Sequence, residues 1–146
     1  MNILIPMAGL GSRFPSNKYP LPKPLIQVND KPMILSAIES LDLDGRYLYV
    51  IAKNEYSKTI KDILTKFNSN SYFVEIDYLT EGPAVSSLLF TDLINNDDEL
   101  VIANCDQIME WSGNMFLNTA RLFDGTVVTY HTSTEKNSYA RIDKKG

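Results

Sequence analysis

The sequence has little cysteine, little histidine and no basic run. Its single cysteine, Cys105, excludes an internal disulfide framework and suits a reducing compartment, so a cytoplasmic location is the expectation. Basic residues neither cluster nor interleave with aromatics, and the formal net charge is −4, which excludes nucleic acid as the expected partner. No apolar stretch approaches the ~18 residues of a membrane span, so no membrane is expected as a partner. The start, Met1-Asn2-Ile3, carries neither the basic region nor the cleavage site of a signal peptide. The one histidine, His131, has no partner pattern around it, and no Ser-His-Asp or Cys-His arrangement is apparent. Chemistry that depends on a protein nucleophile is therefore not indicated.

What is present can build a core. Hydrophobic residues make up 44% of the 146, enough for one ordinary domain, and residues 1–146 read as that single domain. Short apolar segments alternate with segments of helical spacing. Residues 3–6, 47–52, 72–76 and 100–103 read as strands, and the last looks the most buried. Residues 127–132 are also strand-like, with a weaker signal at 139–142. Helical stripes run over 32–41, 56–67, 83–93 and 114–123. Asn54 is placed to cap the second helix, and Pro83 falls in the first turn of the third. The polar stretches 68–71 and 95–99 are loops within the domain. The alternation β-α-β-α-β-α-β predicts an α/β fold: three layers, α/β/α, around a mainly parallel, Rossmann-like nucleotide-binding sheet.

The most informative segment is residues 3–24, ILIPMAGLGSRFPSNKYPLPKP. A buried strand runs into a glycine turn, the way α/β proteins present backbone N–H groups to phosphate. Arg13 follows the turn, and Lys23 sits between two prolines, so both can add the positive charge a triphosphate needs. Two other glycine loops fit less well. The dinucleotide fingerprint G-x-G-x-x-G matches at Gly9 and Gly11 but meets Phe14 at its third glycine. The P-loop needs Gly-Lys-Ser/Thr, which does not occur. A plain strand-to-helix turn with a surface arginine would also account for the loop alone.

Ligands of open α/β sheets bind at the carboxyl ends of the strands. Three loops fall at such ends: residues 7–14, 80–83 and 104–107. Asp106, directly after an apolar strand, is placed to hold a divalent cation between phosphates, although an aspartate can equally cap a turn there. Residues 97–99 look like a solvated turn, Glu110 like a surface residue, and Cys105 like an inert buried thiol.

The pattern G-x-G-x-R, then P-K-P-L, then a second K-P followed by a hydrophobic residue, resembles the sugar-phosphate nucleotidyltransferases, also called nucleoside-diphosphate-sugar pyrophosphorylases. The matching residues are Gly9, Gly11, Ser12, Arg13, Pro22, Lys23, Pro24, Leu25, Val28, Lys31 and Pro32. The match is dense over residues 1–40 and sparser to 110, and Lys18 stands where the family usually has threonine. The resemblance implies a GT-A-like sheet and the N-terminal part of a catalytic domain whose C-terminal part lies beyond this chain. It implies Mg²⁺ as cofactor, with Asp106 as a ligand. It implies a nucleoside triphosphate and a sugar 1-phosphate as partners, glucose 1-phosphate with dTTP or UTP being the commonest pairing. Arg13 and Lys23 then act on the phosphates, while the backbone of Met7, Ala8 and Gly82 meets the nucleobase beside Gly9, Gly11 and Ser12. The remaining readings are cytidylyl transfer to an acceptor such as phosphocholine, a non-catalytic nucleotide-binding fragment, and a GT-A glycosyltransferase. The last would usually show Asp-x-Asp, whereas Asp106 is followed by Gln107 and Ile108. A sheet left incomplete at its end also predicts self-association into a homo-oligomer through the C-terminal strands.

Overall fold

The two central strands of the sheet are almost wholly apolar because both of their faces are covered. In the computed structural model, which describes residues 1–15, 17–134 and 139–141, β1 spans Asn2–Pro6. A short hairpin follows, β2 (Gln27–Val28) and β3 (Lys31–Pro32), preceded by a 3-10 turn over Lys23–Leu25. Then come α1 (Met33–Ser40), β4 (Arg46–Ala52), α2 (Ser57–Phe67) and β5 (Ser71–Ile76). The third helical region is broken: α3 (Pro83–Ser87), a 3-10 turn over Leu88–Phe90, and α4 (Thr91–Ile94). The chain continues through β6 (Leu100–Ile102) to α5 (Gly113–Ala120).

The main sheet has the order β5-β4-β1-β6, and each pairing is parallel. Ile3 lies opposite Tyr47 on one side and Val101 on the other. Successive strands step outward from β1 to β5, and the chain then returns to the far side of β1 to lay down β6. The winding reverses between β1 and β6, the place where open α/β sheets bind their ligands.

Alternation along the strands divides the core in two. Ile3 and Ile5 of β1 and Tyr47, Tyr49 and Ile51 of β4 face Ile34 and Ile38 of α1 and Ile60 and Leu64 of α2. Leu4, Leu48 and Val50 face the opposite way, against Phe90 and the flanking Leu89, Leu93 and Ile94. The first cluster carries an aromatic ladder. Tyr47 stacks on Tyr49 with ring centroids 5.9 Å apart, Tyr49 stacks on Phe73 at 5.4 Å, and Phe67 meets Tyr47 edge-on at 5.7 Å. The buried Tyr47 hydroxyl donates to the Leu43 carbonyl at 2.9 Å.

Several expectations are corrected. The segment 127–132 is irregular and exposed, with Val127 and Tyr130 largely in solvent, and residues 139–141 form no strand; Ile142 lies outside the described residues. A strand pattern needs a neighbouring strand to hydrogen-bond, and among the described residues this segment pairs with none. β6 is not the most buried strand but an edge, with Leu100 39% and Ile102 53% exposed. Asn54 does not cap α2. Its side-chain oxygen accepts from the Tyr56 N–H at 2.9 Å, forming a turn that precedes the helix. No helix among the described residues is long and apolar enough to cross a membrane.

The segment after β6 is fastened to the end of α1. Met109 N–H donates to Ser40 Oγ at 3.1 Å, Trp111 Nε1–H to the Ser40 carbonyl at 2.9 Å, and Gly113 N–H to Asp42 Oδ2 at 3.0 Å. A methyl group on Gly113 would lie 2.0 Å from the Asp42 carbonyl oxygen, so only glycine fits there.

Candidate nucleotide site

β1 hands its chain to the glycine loop at the centre of the sheet. Met7 is buried, and its N–H donates to the Val50 carbonyl at 2.8 Å, so its carbonyl is what remains for a ligand. Beyond it the backbone changes character. Among the described residues, none of the N–H groups from Ala8 to Arg13 donates to another residue of the chain. Gly9 and Ser12 are exposed. Gly11 turns the loop with φ +60°, a conformation that favours glycine, and its carbonyl accepts from the Phe14 N–H at 2.7 Å. A run of uncommitted N–H groups beside a left-handed residue is the kind of backbone that can receive an anion. Arg13 is exposed and has no ion-pair partner among the described residues.

Lys23 is brought to this loop by the buried Pro24 and Leu25, which pin the 3-10 turn to the core. Its stem passes against Gly11, where an added Cβ would come within 3.3 Å of Lys23 Cβ. Its ammonium lies 5.8 Å from the centre of the Phe14 ring and 2.5 Å from Asp106 Oδ2. Asp106 arrives from the other side of the winding reversal, just past β6. The structure thus joins Gly11, Lys23 and Asp106 in one place. The contribution of Phe14 was not evident from sequence: its ring supports Lys23 and meets Tyr19 edge-on at 5.3 Å. The only available signal was an aromatic residue directly after Arg13.

Gly82 opens α3, which packs on β1, so its loop lies on the strand whose end carries the glycine loop. Its φ of 161° is extended backbone that any residue adopts, and a Cβ there would meet no atom within 4 Å. Neither backbone nor packing demands glycine at this position. The loop is braced from below, where the Thr80 and Ser86 hydroxyls are 2.7 Å apart.

Neighbouring groups stay outside this chemistry. Cys105 is buried, and burial pushes its thiol above its ordinary value against a smaller opposing pull from Lys23, so it is an unreactive thiol. Lys31 sits on the hairpin, paired with Glu39 at 2.5 Å. Glu99 is held at the surface by Arg121 at 2.5 Å, and that contact lowers its carboxyl below the usual range. His131 and Glu110 are exposed. Among the described residues, no group of three or more His, Cys, Asp or Glu could hold a metal ion. Asp106 offers one carboxylate. That donor set fits a hard cation sharing its shell with substrate phosphates and does not fit a metal caged by protein alone.

No protein-family model matches the chain. Among curated proteins it is similar to a mannose-1-phosphate guanyltransferase of Schizosaccharomyces pombe, 32% identical over 116 residues, covering 76% of this chain and 32% of that protein. The mannose-1-phosphate guanyltransferases of Yarrowia lipolytica and Saccharomyces cerevisiae are 32% and 31% identical with the same coverage. The chain spans about a third of the length of these curated relatives. Among solved structures, the nucleoside-diphosphate-sugar pyrophosphorylase from Vibrio cholerae RC9 superposes with a TM-score of 0.59 at 21% identity, covering 71% of this chain and 47% of that one. The inositol-1-phosphate CTP transferase from T. maritima gives 0.61 at 18% identity, covering 73% and 44%. These two share the fold.

Proposed function

We propose, for a chain that belongs to the sugar-phosphate nucleotidyltransferase family, that the loop after β1 binds the phosphates of a nucleoside triphosphate for transfer to a sugar 1-phosphate. The observation that carries this is the run of uncommitted N–H groups from Ala8 to Arg13 beside the Lys23–Asp106 pair. In the reaction, an oxygen of the sugar 1-phosphate attacks the α-phosphorus. The bond from that phosphorus to the α–β bridging oxygen breaks, and pyrophosphate leaves with the electron pair. Such transfers need positioning and charge neutralisation rather than a protein nucleophile.

The residues divide those tasks. The loop amides and Arg13 grip the β- and γ-phosphates. Lys23, carried on its short turn, stabilises charge developing on the α-phosphate. The open side of Gly82 leaves room for the base, with the carbonyl of Met7 and the backbone of Ala8 beside it. Asp106 would hold Mg²⁺, which when bound neutralises phosphate charge.

The named relatives favour a guanylyl donor with mannose 1-phosphate, and the family resemblance adds glucose 1-phosphate with dTTP or UTP as its commonest pairing. Binding of ATP, GTP, CTP, UTP and dTTP, each with Mg²⁺, tests the site. Saturable binding with a preference for one base is expected, and failure to bind any of the five rejects it. Pyrophosphate release with mannose 1-phosphate, glucose 1-phosphate and phosphocholine then identifies the acceptor.

A further inference from the structure

The Lys23–Asp106 ion pair joins the two groups that the proposed reaction assigns to different ligands, and this inference rests on that reading. We infer that the pair is an interlock, which makes the site accept a triphosphate and a divalent cation together and resist either alone.

Both charges are largely withdrawn from water, with side chains 17% and 27% exposed. Lys23 is confined further by Gly11 and by the Phe14 ring. A charge in such a place is costly to leave without a partner. A triphosphate arriving alone would draw Lys23 away, strand the Asp106 carboxylate and face its repulsion. A cation arriving alone would take Asp106 and strand Lys23, and the ammonium would repel it. When both arrive, Lys23 exchanges its carboxylate for phosphate oxygens and Asp106 exchanges its ammonium for the cation. Each protein charge then ends with an opposite partner. Linkage requires the coupling to be reciprocal: the cation raises affinity for the triphosphate by the same factor that the triphosphate raises affinity for the cation.

The interlock predicts gains of binding that a simple list of ligands does not. In EDTA, Asp106→Asn frees Lys23, so inorganic tripolyphosphate should bind this variant at least threefold more tightly than the unaltered protein. Glu110→Gln removes an exposed carboxylate nearby in sequence and controls for the general charge effect. Conversely, Lys23→Met should expose Asp106. Without any phosphate present, Mn²⁺ should broaden the backbone amide resonances of Asp106 and Gln107 at a severalfold lower concentration than in the unaltered protein. Equal tripolyphosphate affinity in Asp106→Asn and the unaltered protein overturns the interlock, as does an equal gain in Glu110→Gln. No change in Mn²⁺ broadening in Lys23→Met overturns it as well. These failures leave the phosphate site standing if tripolyphosphate binds. If it binds none of the proteins, with or without Mg²⁺, the nucleotide reading itself falls.

Discussion

Arg13 and Lys23 differ in how they are held, and the difference has consequences for substitution. Arg13 is exposed and unpaired among the described residues, so its removal costs the fold little. Each charge-assisted phosphate contact contributes about 1.5–3 kcal/mol. Arg13→Ala, and Lys23→Ala in the presence of Mg²⁺, should therefore weaken triphosphate binding about tenfold or more. Titration calorimetry alongside unchanged circular dichroism checks this, and unaltered affinity in both would remove the phosphate loop from the site. Gly82 supplies a sharper discrimination. Because its backbone is extended and its Cβ direction empty, Gly82→Leu should fold normally and bind tripolyphosphate normally while losing affinity for a nucleoside triphosphate. Equal loss of both ligands would show that the substitution disturbs the loop rather than the base. The turn at Gly11 was legible in the sequence, because a backbone turn is a local property. The contact of Lys23 with Asp106 was not legible. It is created by the return of the chain to the far side of β1, and no local pattern records that.

The central strands were legible because both of their faces are covered, and the edge strands β5 and β6 were legible as short apolar runs although they are half-exposed. β1 and β4 are unbroken apolar runs because helices lie on either side, and the helical stripe of α2 shows its buried face in Ile60 and Leu64. The region 83–94 has an equally helical spacing, yet it breaks at Leu88–Phe90, where Phe90 is buried against the sheet. The stretch 127–132 has the composition of a strand without a partner strand, so its pattern went unexpressed. The fastening of α5 to the end of α1 depends on one glycine, for which the sequence carries no mark. Gly113→Ala would force its new methyl group into the Asp42 carbonyl. The relief requires moving α5 or Asp42, at a cost of about 1–3 kcal/mol, and should lower Tm by on the order of 5 °C. Thermal unfolding measures this; an unchanged Tm would mean that the junction is loose.

At the scale of the whole molecule, β6 is one of the two edges of the sheet. Among the described residues its backbone groups lack a strand on one side, and Leu100 and Ile102 add apolar surface beside them. Such edges recruit other strands. The seam expected at 127–142 belongs instead to β6, so self-association is expected through Leu100–Ile102. Light scattering should find a mass above the monomer that falls in Ile102→Lys. A monomer at all concentrations would show that the edge is protected. The aromatic ladder across the other half of the sheet has a different consequence. Burial lifts the Tyr47 hydroxyl from its ordinary 10.0 to about 12 and Tyr49 well above its usual range. Since the unfolded chain releases these protons sooner than the folded one, the stability they contribute is complete below pH 10 and drains away as pH climbs through about 12. The protein therefore carries its own optical gauge. Tyrosinate absorbance from Tyr47 and Tyr49 should appear only as circular dichroism reports collapse of the sheet, and its appearance while the sheet is intact would show that the ladder is open to solvent.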